Sequence, residues 1–210
     1  MVKFNEQAGR RRRSITKRKG ATIEEIKSIA LKLFNQWGYK GTTVRDICEE
    51  IEITAPSMYY YFDSKENIFS VLMEEAVQLL MDTVKTAVEN TEAKTADERL
   101  KHLFDSYRIF YRDHYDQAIF LVKVRCFSEK GLDKVVSDEL DQQGKWMNEQ
   151  MSVYLSGSQK RRMPKTPLAD ILVAFDGFTT SYLLQLHQGM ITDTGEQAQK
   201  SWELFWNGIK

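Results

Sequence analysis

A chain of 210 residues, 42% hydrophobic and 29% charged, has room for a real core and the balance of a globular protein. No apolar run reaches the roughly 18 residues of a membrane span, and the basic N-terminus lacks the apolar segment of a signal peptide, so a cytoplasmic protein with no membrane partner is expected. Net charge is zero but unevenly placed: residues 1–20 hold eight basic residues against Glu6, a balance of +7, which leaves −7 on the other 190.

Residues 1–20 lack apolar periodicity and are expected to be disordered in isolation. Arg10, Arg11, Arg12, Arg13, Lys17, Arg18 and Lys19 suit phosphate binding or a reach into a minor groove; the alternative is a solvated tail. Thr22 begins a T-x-x-E capping box, and Ile23, Ile26, Ala30, Leu33, Phe34 and Trp37 follow helical spacing up to Gly38, which stands where a helix ends. Val44, Ile47, Cys48 and Ile51 share one face of a second, short helix, and a turn follows at Glu52, Ile53 and Thr54. Thr54 is a good cap for a third helix, whose first turn tolerates Pro56. Met58 and one or two of Tyr59, Tyr60 and Tyr61 are expected to face inward, leaving Ala55, Pro56, Ser57 and Tyr60 for the outer face. Two short helices joined by a tight turn form a helix-turn-helix unit, whose second helix can lie in the major groove of DNA.

The run from Ile26 to Glu66, with its LF…GY.GTTVRDI, its Y.YF and its SKE, resembles the DNA-binding domain of TetR-type transcriptional repressors. The resemblance implies an all-α homodimer of about nine helices per subunit. An N-terminal three-helix DNA-binding domain would precede a helical domain for ligand binding and dimerisation, whose last two long helices form the dimer contact. By position, it implies that Thr43, Arg45, Tyr59 and Lys65 contact phosphates and that Ala55, Pro56, Ser57 and Tyr60 face the groove, with Thr54 beside them. This sequence departs from the family pattern at the turn, where Ile51, Glu52, Ile53 and Thr54 replace the usual AGVS. It also has Cys48 for an alanine and Pro56 for a frequent glycine. A left-handed backbone at Glu52 would cost about 1 to 2 kcal/mol.

The expected boundaries are therefore a basic arm over residues 1–20, a DNA-binding domain over 21–66 and a ligand-binding and dimerisation domain over 67–210. Asp63 or Ser64 caps a long helix running from Lys65 toward Asn90, about 40 Å at 1.5 Å per residue. A polar linker leads to a helical face of Leu100, Leu103, Phe104, Tyr107, Phe110 and Tyr111. The run AIFLVKVRCF, from Ala118 to Phe127, is read as a buried helix rather than a strand, and Leu132 to Leu155 as a longer helix. Residues 156–167 form a loop, Leu168 to Leu186 a helix apolar around most of its circumference, and Glu196 to Ile209 the last helix.

An apolar effector would sit among Phe104, Tyr107, Tyr111, Phe127, Trp146, Met147, Met151 and Phe178, for which core packing is the plain alternative; Asp176, His102 and His114 are candidates to orient a polar or cationic group, with a surface or satisfied residue as the alternative for each. Phe175, Tyr182, Leu186, Trp202, Phe205, Trp206 and Ile209 are the expected dimer contacts, because large aromatics near the chain end suggest a partner surface. Own-chain core is again the alternative. Cys48 and Cys126 are expected as free buried thiols. With three histidines, no glycine-rich phosphate loop, no nucleophile elbow and no clustered metal ligands, neither catalysis nor a cofactor is expected. The expected function is a repressor that leaves a palindromic double-stranded operator when a small effector binds. An effector-independent or architectural DNA binder is the alternative, and a cavity of several hundred cubic ångströms would separate the two.

Overall fold

The computed structural model describes residues 23–89, 92–126, 144–145, 148–156 and 166–209. The basic arm, the Thr22 cap, Phe127, Trp146, Met147, the basic loop after residue 156 and most of the helix expected from Leu132 lie outside these residues.

Among the described residues every regular element is helical. The order is α1 (Ile23–Gly41), α2 (Val44–Glu50), α3 (Ala55–Tyr59), α4 (Lys65–Glu89), α5 (Ala96–Asp113), α6 (Tyr115–Cys126), α7 (residues 148–156), α8 (Leu168–His187) and α9 (Gly195–Ile209). No helix among them is long and apolar enough to cross a membrane. Gly38 interrupts α1 as its position suggested: its φ of 73° breaks the helix, and one further turn carries the chain to Gly41. The buried Thr42 closes this corner, its hydroxyl donating to the Gly38 carbonyl at 2.8 Å.

The long helix α4 has 25 residues, about 37 Å at 1.5 Å per residue. It packs on α1 at one end and on α5 and α6 further along, joining the first three helices to the rest. Ser64 caps it: its hydroxyl accepts from the Asn67 N–H at 3.1 Å and its carbonyl from the Ile68 N–H at 3.2 Å, so the Asp63 box does not form. At α5, Thr95 and Glu98 make a reciprocal capping box.

Helix α6 buries five residues in succession, Ala118 to Val122, because α1, α4, α5 and α8 surround it. The AIFLV run is thus a helix enclosed on all sides, which explains its lack of a polar face. Around α5, α8 and α9 the core is aromatic. The Phe104 ring, fully buried, lies 4.8 Å from Phe178, 4.9 Å from Tyr182 and 6.0 Å from Trp202, while Phe178 stacks on Phe205 at 4.5 Å. The Trp202 indole N–H donates to Asp97 at 2.9 Å.

Two expectations change here. Phe175, Tyr182, Trp202 and Trp206 are buried by their own chain, so they are core and not an open partner surface; Trp202 lies against α5 as well as α8, which the chain-end argument overlooked. Leu186, Phe205 and Ile209 are only half-buried. Cys48 is buried as expected, but Cys126, at the last turn of α6, is exposed.

Candidate DNA interface and effector cavity

Between α1 and the start of α4 lies a small aromatic core in which Phe34, Tyr39 and Phe69 meet edge-on or tilted at 5.3 to 5.9 Å. Against it, α2 starts at a full capping box. The Thr43 hydroxyl accepts from the Asp46 N–H at 3.1 Å and donates to the Asp46 carboxylate at 2.7 Å, and that carboxylate accepts the Thr43 N–H at 2.8 Å. These bonds hold the Asp46 carboxyl below the usual range. Beyond the cap, the Arg45 guanidinium points into solvent and pairs with Glu49 at 2.7 Å.

The turn after α2 is a Schellman motif. The Ile53 N–H reaches back to the Cys48 carbonyl at 3.0 Å and the Glu52 N–H to that of Glu49 at 3.4 Å, with Cys48 and Ile53 both buried. Glu52 occupies the left-handed position at φ 58°, where glycine is the unstrained residue. The departure at this position therefore leaves the motif intact and places mild strain in its backbone.

Thr54 caps α3, accepting from the Ser57 N–H at 3.3 Å and sharing a hydroxyl–hydroxyl bond with Ser57 at 2.8 Å. Met58 and Phe62 anchor the helix inward. With these two filling the inner face, the tyrosines turn out: Tyr59 is 51% exposed, Tyr60 83% and Tyr61 36%, contrary to the expectation that one or two would be buried. Ala55, Pro56 and Ser57 are exposed beside them.

Lys65 is turned toward its own chain. Its ammonium donates to the carbonyls of Tyr39 at 2.6 Å and Thr42 at 2.8 Å and lies 3.8 Å from the centre of the Tyr39 ring, so its first task is to tie α4 to the α1–α2 corner. Glu66 accepts the Tyr39 hydroxyl, which lowers its pKa.

Further along the chain, a cavity of about 50 Å³ lies between α4, α5, α6 and α8, lined by Leu80, Tyr107, Phe110, Ala118, Leu121, Val122, Arg125, Asp176, Thr179, Thr180 and Leu183. It holds a few waters at most, well below the several hundred cubic ångströms set as the criterion for an effector site. Of the ten expected ligand residues, Tyr107 and Asp176 line it. Phe104, Phe178 and Met151 are packed elsewhere in the core, Tyr111 lies edge-on to Tyr115, and His102 sits in an open polar surface depression with Lys101 and Asp105.

The polar end of the cavity is an ion pair between Arg125 and Asp176. Burial raises the Asp176 carboxyl and the Arg125 charge opposes that rise; burial, with Asp176 nearby, pushes the Tyr107 hydroxyl up. Arg125 was not anticipated. In sequence it is one of two cations in the last turn of an apolar helix, and its partner is 51 residues away.

The helix that lines this cavity also grips α1. The Asn35 amide donates to the Asp116 carbonyl at 2.9 Å, and the Lys123 ammonium donates to the Asn35 carbonyl at 2.5 Å. Ala118, Leu121, Val122 and Arg125 face the cavity from the same helix, so a shift of α6 would be felt at both places.

Residues 26–72 match the family model described as "Bacterial regulatory proteins, tetR family". The chain is 28% identical over 105 residues to the probable HTH-type transcriptional regulator YttP of Bacillus subtilis, covering 50% of this chain and 51% of that protein. It is 32% identical over 85 residues to the biofilm operon icaADBC HTH-type negative transcriptional regulator IcaR of Staphylococcus aureus, covering 39% and 44% respectively. The chain thus spans about half the length of the curated relatives it matches. Among solved structures it shares the fold of a TetR-like regulator from Rhodococcus sp. RHA1, with a TM-score of 0.70 at 17% identity over 91% of this chain and 98% of that one. AibR, solved with isovaleryl coenzyme A and operator DNA, gives a TM-score of 0.66 at 14% identity over 86% and 93%.

Proposed function

We propose that this chain, whose residues 26–72 match the tetR family model, is a DNA-binding transcriptional regulator acting as a homodimeric repressor of a palindromic operator. The observation that carries this is α3: a capped helix, held from below by Met58 and Phe62, that presents Ala55, Pro56, Ser57, Tyr59 and Tyr60 to solvent. Residues 1–20 act as the basic arm that supplies attraction, 21–66 as the reading domain and 67–210 as the effector and dimer domain. The arm matters because residues 21–62 hold four basic and six acidic side chains, a net charge of −2. Thr43, Arg45 and Tyr59 are the phosphate contacts of this reading; Lys65 contributes by fixing the corner on which α2 and α4 meet.

For the dimer, the exposed faces of the last two helices support a self-contact. On α8, Val173 is 74% exposed with Gly177 and Ser181 on the same face; on α9, Leu204 is 75% exposed near Gly208. Small residues beside isolated apolar ones let helices approach closely, and Leu186, Phe205 and Ile209 lie at the edges of these faces.

Two readings of control remain distinct. In the effector-responsive one, supported by the isovaleryl coenzyme A complex of AibR, a ligand enlarges the Tyr107–Arg125–Asp176 cavity and moves α6 against Asn35. Only its differential affinity for the two forms counts. The effector-independent reading is supported by the small size of this cavity among the described residues. Selection of fragments from the encoding genome with the full-length protein tests the function. The expected result is a few fragments with inverted half-sites about 34 to 36 Å apart. Uniform recovery of all fragments would contradict it.

A further inference from the structure

The outer face of α3 restricts which bases it can read. Its exposed residues are Ala55, Pro56, Ser57 and Tyr59, continued by Tyr60 and Tyr61, and none carries an amide, guanidinium, ammonium or carboxylate. Guanine is read mainly by bidentate Arg or Lys at O6 and N7, cytosine by a carboxylate at N4 and adenine by Asn or Gln. Among the described residues, two cations of the adjoining helices are engaged: Arg45 pairs with Glu49, and the Lys65 ammonium faces the Tyr39 and Thr42 carbonyls. Ser57 shares its hydroxyl with Thr54, and Pro56 has no N–H to offer. Besides hydroxyls, which fix no single base, this face presents small apolar surface and the Tyr60 ring set edge-on against Tyr61 at 5.0 Å. The base feature that matches small apolar surface in the major groove is the thymine methyl group.

Resting on the assignment of α3 as the DNA-reading helix, we propose that each half-site is A·T-rich and is read through thymine methyls, with Ala55 and Pro56 packed against them and Tyr60 closing one side. The readout is shape and methyl contact, not a bidentate hydrogen-bond code. Specificity is therefore sensitive to chemistry that leaves base pairing unchanged.

The test uses the full-length protein and a randomised duplex library, followed by binding of the best duplex with single thymines replaced by deoxyuridine or single guanines by 7-deazaguanine. The expected result is fixed T·A positions in each half-site, an affinity loss of about fourfold for each contacted methyl removed, and no loss with 7-deazaguanine. In an Ala55→Gly variant the deoxyuridine penalty should vanish at one position, while the penalties at the others show that the variant still folds and binds. A fixed G·C pair that 7-deazaguanine weakens, or whose preference disappears in Glu52→Ala, would overturn the methyl readout while leaving operator binding intact. A library that yields no enriched sequence would instead sink the operator assignment beneath it.

Discussion

The two ends of α4 solve opposite problems. At its start, the helices before it keep polar groups near the backbone that needs them: Thr43 with Asp46, Thr54 with Ser57, and Lys65 with two carbonyls. Their outward surface is left small and hydroxyl-bearing. Beyond it, α5, α8 and α9 pack aromatic rings against one another and hold charges at the margins of that core. Arg108 there bridges Asp105 at 2.8 Å and Asp193 at 2.7 Å, lying 5.8 Å from the centre of the Phe104 ring. In the first region, shape is set by caps and turns. In the second region it is set by side-chain volume. A substitution should therefore act through backbone geometry in one and through packing in the other.

The largest expected effect is in the second region. Phe104→Ala removes the ring at the centre of the Phe178, Tyr182 and Trp202 cluster and should cost about 3 to 5 kcal/mol of stability, measured by denaturant unfolding. A loss below about 1 kcal/mol would mean that the cluster collapses onto the space, and would blur the contrast between the two regions. A smaller effect, of opposite sign, is expected in the first region. Glu52→Gly relieves the left-handed strain and should gain up to about 1 kcal/mol, because glycine's entropy cost offsets part of the relief. The Ile53 to Cys48 bond should persist, seen as unchanged amide exchange protection at Ile53. Destabilisation would show that the Glu52 side chain holds the turn by contacts of its own.

Much of this division is legible in the residues, for identifiable reasons. Caps and breaks are local, so Gly38, Thr54 and the turn at Glu52 follow from short-range rules, and the AIFLV run reads as helix once its neighbours do. The tyrosines were misplaced because aromatic side chains usually favour burial; Met58 and Phe62, four residues apart, had already filled the inward face. Trp202 reads as an open surface in the sequence because its cover from α5, about a hundred residues earlier (Asp97 to Trp202 is 105), leaves no mark in the last helix, and Trp206 stacks on Trp202. The same holds for Arg125, whose meaning depends on Asp176, and for the Asn35 link between α1 and α6. Pairings across the chain are what the local patterns do not contain.

The central claim, that α3 reads sequence while the remainder shapes and steers, is tested most directly by comparing wild-type and Tyr60→Ala proteins on a selected operator and on random duplex of equal length. The expected result is a loss of at least about tenfold on the operator, within the range of 1 to 3 kcal/mol for a specific contact, and little change on random DNA. Equal loss on both duplexes would place Tyr60 on the phosphate backbone and contradict it.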